Sequence, residues 1–430
     1  MVRRVLRRVA GAGVAAFAFF GCSDSAAPPA PATEALNASP VANAGPDATA
    51  QEGQRVTLTA SASADPDGAI VSFAWRQTAG PAVALGAAST STPNFQAPLV
   101  PENTSFSFSV TVTDENGASA SDTVSVMVFP APRESVVEIE APFDGEQRVY
   151  SVYTPARYAT GDPAIVLLHG GGQSMRLVLA PTRTTARWVE LADENDFLLI
   201  IPNGYNETLG DGLGDMQSWN DIRDDQSGRT SLEDDAGFIL TVLDQVNPAR
   251  GFDENRVFVT GSSNGGIMTM RLLIENPDRF AGAAAFIAAL PEEDVPDPPS
   301  PTPIMLLNGT DDDLVLFGGG PVDVDGAPTR SVPDTVDYFL NATGADVASA
   351  TETPLPDLDQ DDDCEIVETR YLKSFDGSPA VTVYEARGGG HNIPDPDPPL
   401  ISSSVDAIIG NRCRDAHGVD LAFDFFDVLP

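Results

Sequence analysis

The sequence predicts two folded units of different class: an all-β sandwich, then a mostly parallel α/β sheet with helices on both faces. Three observations carry this. From Pro40 to Phe129, short runs alternate apolar and polar residues, broken by Asp65-Pro66-Asp67-Gly68 and Asn116-Gly117, the signature of half-buried strands and tight turns. Beyond Val136, continuous apolar runs at 164–168, 197–201, 257–260 and 304–307 alternate with helical spacing, as buried parallel strands joined by helices do. One of these runs passes through Gly261-Ser262-Ser263-Asn264-Gly265 into a helical pattern that Pro277 ends. Strand, glycine turn and helix together push a serine out of a sheet.

At the start of the chain, Arg3, Arg4, Arg7 and Arg8 precede an apolar run from Val9 to Phe20. That run is too short to span a bilayer and reads as an export signal. Phe19-Phe20-Gly21-Cys22 resembles the lipobox of bacterial lipoproteins. The resemblance implies that residues 1–22 are a signal, that Cys22 is acylated, and that Ser23 directs the product to the outer membrane. An ordinary secreted protein cut nearby is the alternative. Either way the expectation is an extracytoplasmic protein that meets a membrane only through a lipid anchor. Residues 23–39, rich in Ala, Pro and Ser, read as a tether. With Cys22 so used, Cys364 and Cys413 remain of three cysteines, and in an oxidising compartment two cysteines pair. Such a bridge encloses the segment holding His391.

The 430 residues suffice for two or three domains, and a hydrophobic content of 42% supports a large core. The balance of 63 acidic to 24 basic residues gives a net charge of −39. It argues against nucleic acid or an anionic membrane surface as partner and says nothing about chemistry.

In the first unit, Val56, Leu58 and Ala60 alternate with polar residues, and Val71, Phe73 and Trp75 are expected on one face of the next strand. Phe106, Phe108, Val110 and Val112 then pair through the Asn-Gly turn with Val124, Val126 and Val128. Short strands around one buried tryptophan make a β-sandwich. The NAGPDATAQEG opening, the DPDG turn, Trp75 and the TVTDENGASASDTV ending resemble the PKD-like, Ig-fold modules of bacterial surface proteins and exported hydrolases. The module is placed at 40–130. Such modules space domains or bind polymers; a spacer with weak binding is the favoured expectation.

The second unit is placed at 136–430. Its first strand signal is Arg148 to Tyr153, and helical patterns fall at Ala186–Asn195 and Phe238–Val246. Ligands bind beyond the carboxyl ends of such strands, and the motifs of chemical interest all fall there. A serine hydroxyl needs a base within reach and a carboxylate to orient that base. Ser263 sits on the turn where free N–H groups and the helix dipole favour an anion. Of three histidines, His391 follows the strand Val381–Tyr384, where this chain order places the base. The acid should follow Ile304–Leu307, among Asp311, Asp312 and Asp313, which the residues alone do not separate. His169-Gly170-Gly171-Gly172-Gln173, after Leu168, is a glycine loop able to hold developing negative charge. The two donors would be the backbone N–H groups of Gly171 and Asn264.

Residues 145 to 425 resemble the exported polyhydroxybutyrate-depolymerase and feruloyl-esterase family of α/β-hydrolases. The resemblance rests on LLHGGGQS, ADENDFLLIIPNG, SWND, DDAGFI, ENRVFVTGSSNGGIMTMRL, NGTDDDLV and GGGHNIP. The family pattern G-T-x-D-x-x-V falls on Gly309, Thr310, Asp312 and Val315, which implies Asp312 as the acid, beside Ser263 as nucleophile and His391 as base. Ser262, Asn308, Asp313 and the Asn392-Ile393-Pro394-Asp395 stretch depart from the family pattern. These departures leave the triad intact and bear on substrate preference. The implied activity is hydrolysis of carboxylic esters: feruloyl or acetyl groups on polysaccharide, polyhydroxyalkanoate, or short soluble esters.

His169, Gly170, Gly172, Gln173 and Trp219 are expected to contact substrate, although a loop tryptophan is as often packed inward. Asp234 and Asp235 are expected to hold the fold. Asp357, Asp359, Asp361, Asp363 and Glu368 echo a calcium-loop spacing, but Asp362 stands where the loop needs glycine. A solvated acidic loop is preferred, so neither metal nor organic cofactor is expected. The expected partner is the ester substrate, an insoluble polymer or polysaccharide among the options, and the expected state a monomer. The opposing reading is a surface adhesion protein with an inactive hydrolase domain.

Overall fold

A computed structural model describes residues 36–223, 230–292, 295–296, 302–322, 326–396 and 408–429; Cys22 and the export segment lie outside them. Its first unit is a sandwich of β1 Ala48–Gln51, β2 Arg55–Thr57, β3 Ile70–Ala79, β4 Asn94–Gln96, β5 Thr104–Asp114 and β6 Ser119–Phe129. One sheet runs β1-β6-β5-β3, and β2 pairs with β4. Phe106, Phe108, Val110 and Val112 are fully buried, and Trp75, Phe95 and Val126 complete the core. The β5–β6 turn closes through Asp114, whose side chain accepts from the backbone N–H of Asn116 and Ala118, while Gly117 takes φ 90°. Val71, expected inside with Trp75, is exposed. The β3–β5 register shifts between Ile70 and Ser72, and such a bulge turns the preceding residue to the other face.

The second unit is built on one ten-stranded sheet. Its strands are β7 Val136–Phe143, β8 Glu146–Tyr153, β9 Ala164–Leu168, β10 Leu198–Pro202, β11 Val257–Ser262, β12 Gly282–Phe286, β13 Ile304–Gly309, β16 Ala345–Pro354, β17 Glu365–Lys373 and β18 Pro379–Arg387. Two-residue strands β14 Gly320–Pro321 and β15 Pro328–Thr329 form a separate ribbon. The order is β16-β17-β18-β13-β12-β11-β9-β10-β8-β7. From β18 to β10 every pairing is parallel, and an antiparallel pair flanks each side.

Among the described residues, five α-helices cover the sheet: α1 Arg187–Asn195, α2 Asp235–Arg250, α3 Asn264–Glu275, α4 Val332–Thr343 and α5 Gly418–Asp427. In the parallel strands alternate residues serve opposite faces. Val166, Leu168 and Val259 pack with α2, α3 and α4, whereas Ile165, Leu167 and Phe258 pack with Trp188 of α1 and Phe426 of α5. The helix ends follow their capping residues. Asp234 accepts from Gly237 N at the start of α2, Gly251 closes it at φ 70°, and Ser331 and Gly344 do the same for α4. Asp235 is buried in an ion pair with Arg148, N to O 2.5 Å. The second carboxylate oxygen of Asp235 accepts from Asn220 N at 2.7 Å.

The two units are docked. Glu52 of the sandwich, its side chain fully buried, pairs with Arg250 at the end of α2 and accepts from Val100 N at 2.9 Å. Arg250 also donates to Val100 O at 3.2 Å and to Thr154 Oγ1 at 3.2 Å. The side-chain amide of Gln96 lies along β7, donating to Glu138 O at 3.1 Å and accepting from Glu140 N. It occupies the hydrogen-bonding edge that a further strand would take. No described helix is long and apolar enough to cross a membrane.

Candidate active site

Ser263 is the residue between β11 and α3, with φ 55° and ψ −125°. A non-glycine residue keeps such a conformation only where its surroundings enforce it. The neighbours do so by crowding: a Cβ on Gly261 would lie 2.4 Å from Gly265 O, and one on Gly265 would lie 2.3 Å from His169 O. Ser263 N donates to Phe286 O at 2.9 Å, tying the turn to β12. The side chain makes no capping bond and faces the cleft.

His391 and Asp312 come from the loops after β18 and β13, adjacent parallel strands. His391 Nδ1 and Asp312 Oδ2 are 2.7 Å apart. The other carboxylate oxygen accepts from Leu314 N at 2.8 Å and Val315 N at 2.9 Å. Asp312 is buried, whereas Asp311 and Asp313 are exposed; geometry separates the three aspartates where spacing could not. The imidazole lines the same cleft as Ser263, and no hydrogen bond joins the two side chains among the described residues. Such contacts are often long until substrate is bound.

The His391 loop is knit to the segment behind it. His391 N donates to Ile409 O at 2.6 Å and Gly390 N to Asn411 O at 2.9 Å, while Asn392 Nδ2 reaches the carbonyls of Ile409, Gly410 and Asn411. Cys413, two residues on, forms a disulfide with Cys364, the Cα atoms 5.3 Å apart.

Opposite, the glycine loop after β9 presents Gly170, Gly171, Gly172 and Gln173 to the cleft. Gly172 N donates to Gln217 O at 2.8 Å and Gln217 N to Gln173 O at 2.7 Å, so the 205–218 loop fixes it. A Cβ on Gly171 would lie 3.4 Å from that of Asn264, which puts the two backbones side by side. Asn264 is the first residue of α3, whose N–H has no acceptor within its helix.

Two expected substrate contacts face inward instead. His169 and Trp219 are fully buried, their rings 4.7 Å apart at 33°, and Trp219 Nε1 donates to His169 O at 2.8 Å. They support the glycine loop from beneath. Gly204 N donates to His169 Nε2 at 3.0 Å, which leaves the ring proton on Nδ1, beside Gly170 O. Burial lowers the pKa of this histidine to about 4.

Sequence reasoning missed the residues that lock Asn264. Asn264 Oδ1 accepts from Trp219 N at 2.7 Å, and Nδ2 donates to Asp221 Oδ2 at 2.6 Å. The same buried carboxylate oxygen accepts from Arg223 Nε at 2.9 Å. The SWND stretch, residues 218–221, was the available signal.

The cleft has a volume near 860 Å³, with Ile267, Ile287, Leu314, Val322 and Ile393 among its apolar walls. The acidic run does not form one loop: Glu368 lies within β17, bonded to the Tyr384 hydroxyl, and Asp359 pairs with Arg414 at 3.2 Å.

Strand order, elbow and helices on both faces define an α/β hydrolase. Residues 151–320 match the phospholipase/carboxylesterase family, and residues 44–128 match a PKD-domain family. The chain thus carries a match to a PKD domain followed by a match to the phospholipase/carboxylesterase family within a domain of α/β-hydrolase fold. Among curated proteins, it is 29% identical over 294 residues to NocK of Nocardia uniformis subsp. tsuyamanensis, an esterase in name, covering 65% of this chain and 79% of that protein. It is 29% identical over 135 residues to feruloyl esterase B of Thermothelomyces thermophilus, covering 31% and 42%. To poly(3-hydroxyalkanoate) depolymerase C of Paucimonas lemoignei it is 26% identical over 267 residues, covering 56% and 58%. The chain thus spans under two thirds of the latter two.

Proposed function

We propose that the chain is an exported, secreted or lipid-anchored serine carboxylic-ester hydrolase. Ser263 Oγ attacks the ester carbonyl as His391 Nε2 takes its proton. Asp312 fixes the imidazole with its Nδ1 proton inward and stabilises the imidazolium. The N–H groups of Gly171 and Asn264 receive the oxyanion, each supplying roughly 3 kcal/mol to the transition state. His391 returns the proton to the leaving alcohol. Water, activated by the same base, then releases the acid from the serine.

The observation that carries this reading is the buried 2.7 Å Asp312–His391 pair lining the same cleft as a serine held at φ 55°. The candidate substrates are the feruloyl and hydroxyalkanoate esters of the relatives' names, together with acetylated polysaccharides. Turnover of p-nitrophenyl acetate and butyrate by wild type and Ser263→Ala tests the proposal. Loss of turnover in the variant is expected; equal turnover by both proteins would remove Ser263 from its role. No turnover by wild type on any ester would favour a polymer-binding adhesion protein. Methyl ferulate, acetylated xylan and polyhydroxybutyrate film then rank the substrates.

A further inference from the structure

Ser218 belongs to the loop that ties the two proposed oxyanion donors together. The residue before it bonds the glycine loop: Gln217 N donates to Gln173 O at 2.7 Å, and Gln217 O accepts from Gly172 N at 2.8 Å. The residue after it bonds the first residue of α3: Trp219 N donates to Asn264 Oδ1 at 2.7 Å, and Trp219 O accepts from Asn264 Nδ2 at 3.0 Å. Ser218 itself pairs with Tyr205, its N–H donating at 3.0 Å and its carbonyl accepting at 2.9 Å. Its backbone is therefore fixed between the segments that carry Gly171 and Asn264.

The hydroxyl is not used in this way. Ser218 is only 8% exposed, yet its Oγ makes no hydrogen bond among the described residues. A buried hydroxyl ordinarily has a partner, because an unmet donor has lost its hydration for nothing. Ser218 lines the cleft, so this donor is open to whatever binds there. It also lies beside the proposed donors: a Cβ on Gly171 would be 3.8 Å from Ser218 Oγ and 3.4 Å from Asn264 Cβ. A seryl O–H rotates to suit its acceptor, so its proton can be turned toward an atom arriving between them.

The chemistry names that atom. An ester carbonyl oxygen has two lone pairs and a partial charge. Attack by Ser263 turns it into an alkoxide with three lone pairs and a full charge, which can accept one hydrogen bond more and gains more from each. Two backbone N–H groups leave the third position open. We propose that Ser218 Oγ–H fills it, as a third donor to the oxyanion and a catalytic residue beside Gly171 and Asn264. This rests on the serine-esterase reading above. The proton stays on Ser218 throughout; it is offered as a hydrogen bond, while His391 carries the proton that is transferred. Because the bond is made to charge that develops only on attack, its loss acts on kcat and leaves KM nearly alone.

The test uses Ser218→Ala, which removes the donor and keeps the backbone bonds of 217–219. Circular dichroism establishes that the variant is folded. Hydrolysis of p-nitrophenyl butyrate and inhibition by butylboronic acid are measured on both proteins. The boronic acid bonds to Ser263 Oγ and becomes tetrahedral, with a boron-bound oxygen where the oxyanion would lie. In the variant kcat should fall about 10²-fold, as for loss of one oxyanion donor, with KM within about twofold and the boronate Ki raised by a factor similar to the fall in kcat. A higher KM with kcat unchanged would make the hydroxyl a contact to the unreacted ester, and equal kinetics in the two proteins would leave it without a role; either overturns the proposal. A lower kcat with an unmoved boronate Ki overturns it too, since the loss would then lie outside oxyanion binding. Turnover of no ester by folded wild type overturns the esterase reading and the third donor with it.

Discussion

At the scale of the residue, three adjacent aspartates make the sharpest comparison. Asp312 alone is buried with an oxygen on His391; Asp311 and Asp313 face solvent. Asp312→Asn should therefore lower kcat by about 10³–10⁴-fold, because the amide would favour the wrong imidazole tautomer. Asp311→Asn and Asp313→Asn should stay within a few-fold, as steady-state kinetics on one p-nitrophenyl ester would show. Equal losses at all three would sink the assignment. His169 gives a second prediction, of stability. Buried and neutral, its pKa lies near 4 against an ordinary 6.5. The unfolded chain therefore takes the proton first, and stability falls as pH drops from about 6.5 toward 4. The full loss below that window is about 3 kcal/mol. Urea unfolding of wild type and His169→Gln at several pH values should show a shallower decline in the variant; parallel declines would refute it. The motif points to His169 and Trp219 as substrate contacts, and the structure turns both away from the cleft. A glycine-rich loop can present its backbone to ligand only if large side chains fill the space beneath it, and nothing in a linear motif states that.

At the scale of the element, what could be read was whatever local chemistry decides. The run Ala164–Leu168 is a strand at the bounds its composition suggests, and Val257 onward becomes β11 because glycines admit the elbow and periodicity resumes after it. Where tertiary contact decides, reading stopped short. The strand β16 carries mostly exposed residues and β17 a mixture of buried and exposed ones; β17 is a strand because β18 offers it an edge, and β16 because β17 does. The helix α5 follows the polar stretch around His417, and its apolar residues Val419, Ala422, Phe425 and Phe426, at helical spacing, are buried against the sheet. Compartment alone predicts the pairing of the two cysteines, and the structure shows what the bond spans: 49 residues of chain that include His391. On the chain-entropy account a loop of this length stabilises by about 4 kcal/mol. The 409–413 segment it anchors holds the His391 backbone, so Cys364→Ser/Cys413→Ser should lose activity at temperatures where circular dichroism still reports a folded protein. Activity that declines only in step with global unfolding would show that the bond stabilises the fold without positioning the base.

At the scale of the whole molecule, the resemblance to PKD-like modules implies that the sandwich is a spacer with weak binding, and the contacts argue for an integral part. β7 is the last strand of the large sheet, and an open edge of that kind invites pairing with other chains. Gln96 closes it by satisfying one carbonyl and one amide of β7, as a strand would. Nearby, Glu52 and Arg250 form an ion pair across the two units with the carboxylate fully enclosed. Removing one partner of a buried pair strands the other charge and costs about 3–5 kcal/mol. That cost falls on the docking, because each unit keeps its own core. Calorimetry of the full chain should accordingly show one cooperative transition in wild type and two in Glu52→Ala or Arg250→Ala, the sandwich melting apart from the hydrolase domain. The ester kinetics of the variants at low temperature should remain close to wild type, since the interface lies at the carboxyl end of α2, away from the cleft. Two well-separated transitions already present in wild type, unmoved by either substitution, would mean that the units are merely tethered and that the pair contributes nothing to their union.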